Sequence, residues 1–318
     1  MLQGKNVANV KNCDERLVQK IYIHGSNQGH EVIVLGSSRS LHIDSTFFPG
    51  KTFYNHAISG ASLEDLIGVY QSVVEQEQKP TTVILGLDPW FLNRQNGLVS
   101  WIPFANEFQT GLRRMGLPLD PGSAVLLTAK ADLVPLWTKA MNLLSPAYFQ
   151  TSFKMILRSQ GGMPYATDLT IGNEWIKLAD GSENYDLTFQ NRSQDLVNQD
   201  ARRYVNLGTV YGLDRFSQLD PQYEQWLEAF VNRMQADDAT VIFYLSPYHP
   251  YVYNYLMASD QYNIVKSTQT YYTDLASKKH ILVLGSYDPN DLGCAETEFF
   301  DGMHPKLSCI TKIFQQHP

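Results

Sequence analysis

Glu31-Val32-Ile33-Val34-Leu35-Gly36-Ser37-Ser38-Arg39-Ser40 is a short apolar run that stops at a glycine and a cluster of serines. The run is rich in β-branched residues and carries no polar side chain between Val32 and Leu35, the pattern of a parallel strand covered on both faces. Similar runs recur along the chain. Thr82–Leu85 is followed by Gly86-Leu87-Asp88-Pro89-Trp90, and Ala239–Leu245 by Ser246-Pro247-Tyr248-His249-Pro250. His280–Leu284 is a fourth, and Thr52-Phe53-Tyr54-Asn55 is a shorter fifth that leads into His56-Ala57-Ile58-Ser59-Gly60.

Helical periods separate these strands. Leu63, Leu66, Ile67, Tyr70, Val73 and Val74 share one face, opened by Ser62 as N-cap with Asp65 at the capping-box position. Tyr223, Trp226, Leu227, Phe230, Val231 and Met234 share another, opened by Asp220 with Pro221 at the first helical position. A third helix is expected at roughly 261–277 and a fourth after Pro305. Alternating strands and helices joined by right-handed crossovers predict a three-layer α/β/α domain around a five-stranded parallel sheet. Residues from about 94 to 215 break the rhythm, with helical segments near 123–143 and 146–158 and a hairpin at Glu174–Leu178 turning at Asp180-Gly181-Ser182. The α/β pattern resumes afterwards, so this stretch is read as a large insertion after the third strand of one domain covering 1–318.

With 25 basic and 32 acidic residues the net charge is −7, which argues against a nucleic-acid or anionic-membrane surface built on clustered Lys and Arg. At 43% hydrophobic and 18% charged, the chain has ample material for a packed core. No apolar stretch approaches the roughly 18 residues of a membrane span, and the opening residues lack a signal-peptide core. Either the chain is cytoplasmic or an anchor lies upstream of it. Three cysteines exclude a disulfide scaffold and a four-cysteine zinc site. One Cys294–Cys309 bridge and three unpaired, mostly buried thiols both remain open, the thiols being the simpler expectation. Cys294, His304 and Cys309 lack metal-site spacing, and no metal is expected.

In an open parallel sheet, ligands bind beyond the carboxyl ends of the strands. Those ends carry, in order, Gly36-Ser37-Ser38, Ser59-Gly60, Gly86-Leu87-Asp88 and, beyond the last strand, Asp301-Gly302-Met303-His304. A serine nucleophile needs an adjacent base, and that base needs an orienting carboxylate. Asp and His three apart on one turn meet the second requirement. Main-chain N–H groups near Ser38 and Gly60 are placed to face a developing oxyanion.

This ordered set resembles the SGNH (GDSL-like) superfamily of serine hydrolases and acyltransferases, over roughly 31–93 and 220–315. The resemblance implies a flavodoxin-like sheet and a Ser-His-Asp triad working without a cofactor. Gly36-Ser37-Ser38 falls on the family's Gly-Asp-Ser, which makes Ser38 the nucleophile. Gly60 falls on the oxyanion-hole glycine, and Asp301 and His304 on the closing Asp-x-x-His. Envelope proteins of alginate O-acetylation and teichoic-acid D-alanylation look closest. They imply an ester-linked acyl group, acetyl above all, on a carbohydrate, an extracytoplasmic location and an envelope acyltransferase as partner. The third block departs from the family: where Gly-x-Asn-Asp supplies an asparagine donor, this chain has Asp88. An ionised carboxylate there would repel the oxyanion. The side chain is therefore protonated, or Asn93 donates in its stead, or Asp88 points outward toward the insertion, the expectation that Pro89 favours. The same departure motivates the rival reading, a catalytically weak binding or scaffold protein for a polysaccharide or a partner acyltransferase.

Other residues at this edge admit two roles. Arg39, Trp90, Tyr248 and His249 are candidate substrate contacts, the aromatic ones within a platform with Trp101, Tyr251, Tyr253 and Tyr255, or else ordinary packing and loop residues. Ser38 itself could instead cap a helix that follows the strand.

Overall fold

The structure, a computed structural model, describes residues 4–26, 29–76, 79–118, 163–206 and 210–316. In chain order its first elements are β1 (Asn6–Ala8), α1 (Glu15–Gly25), β2 (Val32–Leu35), β3 (Phe53–Asn55), α2 (Leu63–Glu75), β4 (Thr82–Gly86) and α3 (Ala105–Arg114). Next come β5 (Tyr165–Thr167), β6 (Ile176–Lys177), β7 (Glu183–Asn184), the single turn α4 (Leu187–Gln190) and α5 (Gln194–Asn206). The chain closes with α6 (Pro221–Ala236), β8 (Thr240–Leu245), α7 (Pro250–Met257), α8 (Ile264–Lys279), β9 (Leu282–Gly285) and α9 (Leu307–Gln315).

The main sheet has the order β3-β2-β4-β8-β9, with every neighbouring pair parallel. The strand order reverses direction between β2 and β4, where such sheets open a crevice at their carboxyl ends. Register keeps those ends level: Leu35 lies opposite Leu85, Leu85 opposite Phe243, and Phe243 opposite Val283. Alternate residues serve opposite faces. Ile33, Leu35, Val83, Leu85, Val241 and Phe243 pack under a thick layer that includes α2, α3, α6 and α8. Val32, Val34, Ile84, Tyr244 and Leu284 face a thinner layer carried by α9 and by turns at Ile43, Leu292 and Phe299.

Local signals in the sequence act as read. Ser62 and Asp65 form a reciprocal capping box on α2. The Asp220 carboxylate accepts from Gln222 N and Tyr223 N, and Pro221 opens α6. The third expected helix begins at Ile264, because Asp260–Tyr262 forms a separate 3-10 turn.

The stretch read as an insertion is described only in part. Helical segments expected near 123–143 and 146–158 lie outside the described residues. The expected hairpin is present as β6 and β7. It joins the amino-terminal strand in a second, antiparallel sheet of order β5-β1-β6-β7. A strand of three residues gives no periodicity to read, so this pairing was invisible from the sequence. Among the described residues no helix is long and apolar enough to cross a membrane.

The simpler expectation for the cysteines is also corrected. Cys294 and Cys309 are bridged, with Cα atoms 5.4 Å apart, and only Cys13 is free. Cys294 follows the turn Asn290–Leu292 and Cys309 lies in α9, so the bridge closes the segment that carries Asp301 and His304. For a closed loop of this length, with 15 residues separating the cysteines, chain entropy predicts about 3 kcal/mol of stabilisation. Replacing both cysteines by alanine should lower the urea unfolding free energy by that order, and reductant should then have no further effect. A double variant as stable as the parent would show that the bridge does not constrain the chain.

Candidate active site

Ser38 begins a 3-10 turn directly after β2. The cap on this turn is Ser37, whose Oγ accepts from Arg39 N at 3.2 Å, so the Ser38 hydroxyl is not held by capping. It lies instead 2.9 Å from His304 Nε2. On the other side of the ring, Nδ1 is 2.8 Å and 3.0 Å from the two carboxylate oxygens of Asp301. The Asp301 carboxylate also accepts from the main-chain N–H of Met303 and of His304, at 2.9 and 3.0 Å. Burial alone would raise the Asp301 carboxyl, but His304 and these two amides outweigh it and hold the group below its ordinary value. Asp301 therefore stays an acceptor, which fixes the proton on Nδ1 and leaves Nε2 as the base toward Ser38.

The turn carrying this pair is itself pinned. Phe300 N donates to His304 O at 2.9 Å, closing the loop across its base. His249 N donates to Gly302 O at 3.1 Å, and Arg39 Nε donates to Met303 O at 3.2 Å.

Arg39 is the hub of the site. Its side chain is fully buried, and Nη1 donates to Asp88 at 2.8 Å while Nη2 donates to Ser246 O. The guanidinium lies 4.0 Å from the Tyr248 ring centre, with Tyr287 and Trp90 further out. Ends of β2, β4 and β8 and the Asp301–His304 turn are thus tied to one cation. Around it, Tyr272 and Tyr287 donate from their hydroxyls to the carbonyls of Asp88 and Leu87, each at 2.9 Å.

Ser59 and Gly60 are held from the opposite side by α1. Ser59 N donates to Glu15 at 2.7 Å, and Arg16 Nη2 donates to Gly60 O at 3.2 Å. Arg16 also makes a paired contact with Asp65, at 2.8 and 2.7 Å, so one arginine joins this turn to the start of α2. Ile58 N donates to Gly36 O at 3.0 Å, keeping the turn beside the Ser38 strand end. Gly60 has φ 62°, in the left-handed region that glycine enters without strain. Among the described residues, neither the Ser38 N–H nor the Gly60 N–H donates to a protein acceptor.

Asp88 does not take the oxyanion position. Its side chain turns inward to Arg39 and is 3% exposed, which also overturns the expected outward orientation toward the insertion. Burial raises its carboxyl, and the Arg39 charge opposes that shift. Asn93 does not stand in for it, since its amide donates to the carbonyls of Gly212 and Asp214 at 2.9 and 3.1 Å. The proposed substrate contacts Arg39, Trp90, Tyr248 and His249 are corrected as well: none is more than 1% exposed, and each is held by protein partners. Arg39 is the hub just described and Tyr248 stacks on it. Trp90 donates to Ala61 O at 3.1 Å, and His249 caps α7 through Nδ1. Trp101 is likewise buried, so no exposed platform joins it to Tyr251 and Tyr255.

Glu15 and Arg16, which hold the Ser59-Gly60 turn, were not singled out from the sequence. Glu15 and Arg16 follow a recognisable N-cap, Asp14, which was the available signal for α1. Tyr211, whose hydroxyl lies beside Gly60, comes from the stretch read as an insertion, and no local pattern marks it. Among the described residues no group of three His, Cys, Asp or Glu side chains is arranged to hold a metal.

Asp88→Asn should be harmful, because it leaves the Arg39 cation buried without its counter-charge. Removing one partner of such a pair costs about 3–5 kcal/mol, which thermal unfolding of the variant would register as a large fall in Tm. An unchanged Tm would mean that the pair is not a structural tie.

His42, beside this turn, donates from Nδ1 to Glu183 O at 2.7 Å, and burial pushes its pKa down to about 4 from 6.5. Between those values the unfolded chain binds the proton and the folded one does not, so this histidine's contribution to stability falls as pH drops from 6.5 to 4. The full effect is about 3 kcal/mol. Glu183, raised to about 7 by burial beside Lys177, acts in the opposite sense above pH 4.5. The test is therefore the stability difference between wild type and His42→Gln, followed by urea unfolding from pH 7 to 4.5. It should shrink with acid, and a constant difference would contradict this assignment. Comparison with known proteins returns no match, either to a family model or to a curated protein, so the functional reading rests on the geometry above.

Proposed function

We propose that the protein is a serine-dependent esterase or O-acyltransferase of the SGNH type, acting on an ester-linked acyl group, acetyl above all, on a carbohydrate. The observation that carries this reading is the 2.9 Å contact of Ser38 Oγ with His304 Nε2, the far side of the same ring being held by Asp301. The two halves lie 266 residues apart in sequence and meet at the carboxyl edge of the sheet.

In the proposed reaction, Ser38 Oγ attacks the ester carbonyl carbon while His304 Nε2 takes the hydroxyl proton. The carbonyl π pair moves onto oxygen, facing the free N–H groups of Ser38 and Gly60. Collapse expels the alcohol, which receives the proton from Nε2, and leaves an ester on Ser38. Water then attacks this acyl-enzyme in hydrolysis, or a sugar hydroxyl does so in transfer, with His304 again taking and returning one proton. No cofactor enters the sequence. The Cys294–Cys309 bridge supports an oxidising, extracytoplasmic setting, where an envelope acyltransferase partner would act. The scaffold reading drew its support from Asp88, and that support weakens with the carboxylate turned to Arg39.

A fluorophosphonate probe should label Ser38 in the wild type and nothing at that position in Ser38→Ala. The variant should lose turnover of p-nitrophenyl acetate by at least about 10⁴-fold with its unfolding transition unchanged. Equal turnover by Ser38→Ala would remove the mechanism.

A further inference from the structure

The site holds two free main-chain donors, and the block where the family resemblance places a side-chain donor supplies none: Asp88 faces Arg39 and the Asn93 amide faces carbonyls. Those two carbonyls belong to Gly212 and Asp214, so Asn93 clamps the segment on either side of Leu213 and next to Tyr211. Gly212 completes the clamp by lying against the Trp90 indole, with no room for a side chain. Trp90 is itself tied to Ala61 O at 3.1 Å, immediately after Gly60.

This clamp aims Tyr211 at the Ser59-Gly60 turn. Its ring meets Trp90 edge-on, with centroids 5.1 Å apart. Its hydroxyl comes within 2.9 Å of the point where a β-carbon on Gly60 would sit. Among the described residues no hydrogen-bond partner occupies that hydroxyl, and the adjacent Gly60 N–H is free as well.

We infer that the Tyr211 hydroxyl is the side-chain donor of the oxyanion hole, completing a three-donor set with the N–H groups of Ser38 and Gly60. This rests on the serine acyl-transfer reading and deepens it. Tyrosine is a competent donor for a developing oxyanion. Burial holds the phenol proton up to about pH 12, so it is available throughout the working range. In this arrangement Asn93 is a positioning residue: it keeps the donor's loop in place and touches no substrate.

Tyr211→Phe removes only the hydroxyl of a residue that is 38% exposed, so the fold should persist. With p-nitrophenyl acetate, kcat should fall about 10²–10³-fold while KM stays within about twofold, as expected for a contact made only in the transition state. A trifluoromethyl ketone, which forms a tetrahedral adduct on serine, should lose affinity in parallel with kcat/KM. A merely structural role would move neither in that ratio. If the wild type is labelled at Ser38 and turns over the ester, but Tyr211→Phe keeps kcat within about twofold, the Tyr211 assignment falls and the serine mechanism stands. If the wild type neither labels at Ser38 nor turns over the ester, the serine mechanism fails and takes this assignment with it.

Discussion

The arrangement around Ser38 depends on a cation buried where the strand ends converge. Removing a guanidinium from water costs several kcal/mol unless every face of it is answered. Arg39 is answered on each side, by the Asp88 carboxylate, by the carbonyls of Ser246 and Met303, and by the Tyr248 ring. These partners come from three separate chain segments, and the charge is satisfied only when all three are in place. Arg39 is covalently next to Ser38, so the geometry that satisfies the cation also positions the Ser38 hydroxyl against the turn carrying His304. Conformational specificity at the site thus follows from an electrostatic requirement one residue away.

The same logic explains why an apparent defect in the third block is compatible with catalysis. A carboxylate aimed at a developing oxyanion would oppose it, whereas one aimed at a buried guanidinium is needed. Asp88 adopts the second orientation because leaving Arg39 unpaired would cost more than any gain from exposing the carboxylate. Asparagine at this position would be neutral and could not answer the charge. The chain therefore assigns its third strand end to support of the buried cation.

Support also reaches the site from the periphery. The first helix grips Ser59 and Gly60 through Glu15 and Arg16, and Arg16 links that grip to the capping box of α2 through Asp65. The Asp301–His304 turn is enclosed by the Cys294–Cys309 bridge and tethered at Gly302 by the main chain of His249. Short loops built this way have few alternative conformations. Preorganisation of that kind is what allows hydrogen-bond donors and a base to act without reorganising during the reaction.

Features that depend on near neighbours in the chain were legible without a fold. Apolar runs such as Val32–Leu35 marked strands, Ser62 with Asp65 and Asp220 with Pro221 marked helix starts, and Asp301 three residues before His304 marked a carboxylate beside an imidazole. The level carboxyl ends of parallel strands then made Ser38 and His304 neighbours by topology. The roles of Arg39, Trp90, Tyr248 and His249 were not legible, because exposure is set by what packs on top and no local pattern reports it. Neither the pairing of β1 with β5 and β6 nor the grip of Glu15 and Arg16 on the Ser59-Gly60 turn could be read, since each joins residues more than 40 positions apart. Asp88 states the division most plainly. Its local context, a following proline, constrained the backbone and suggested an outward side chain, but the tertiary structure buried a cation within reach, and charge pairing in a low-dielectric interior outweighed the local preference.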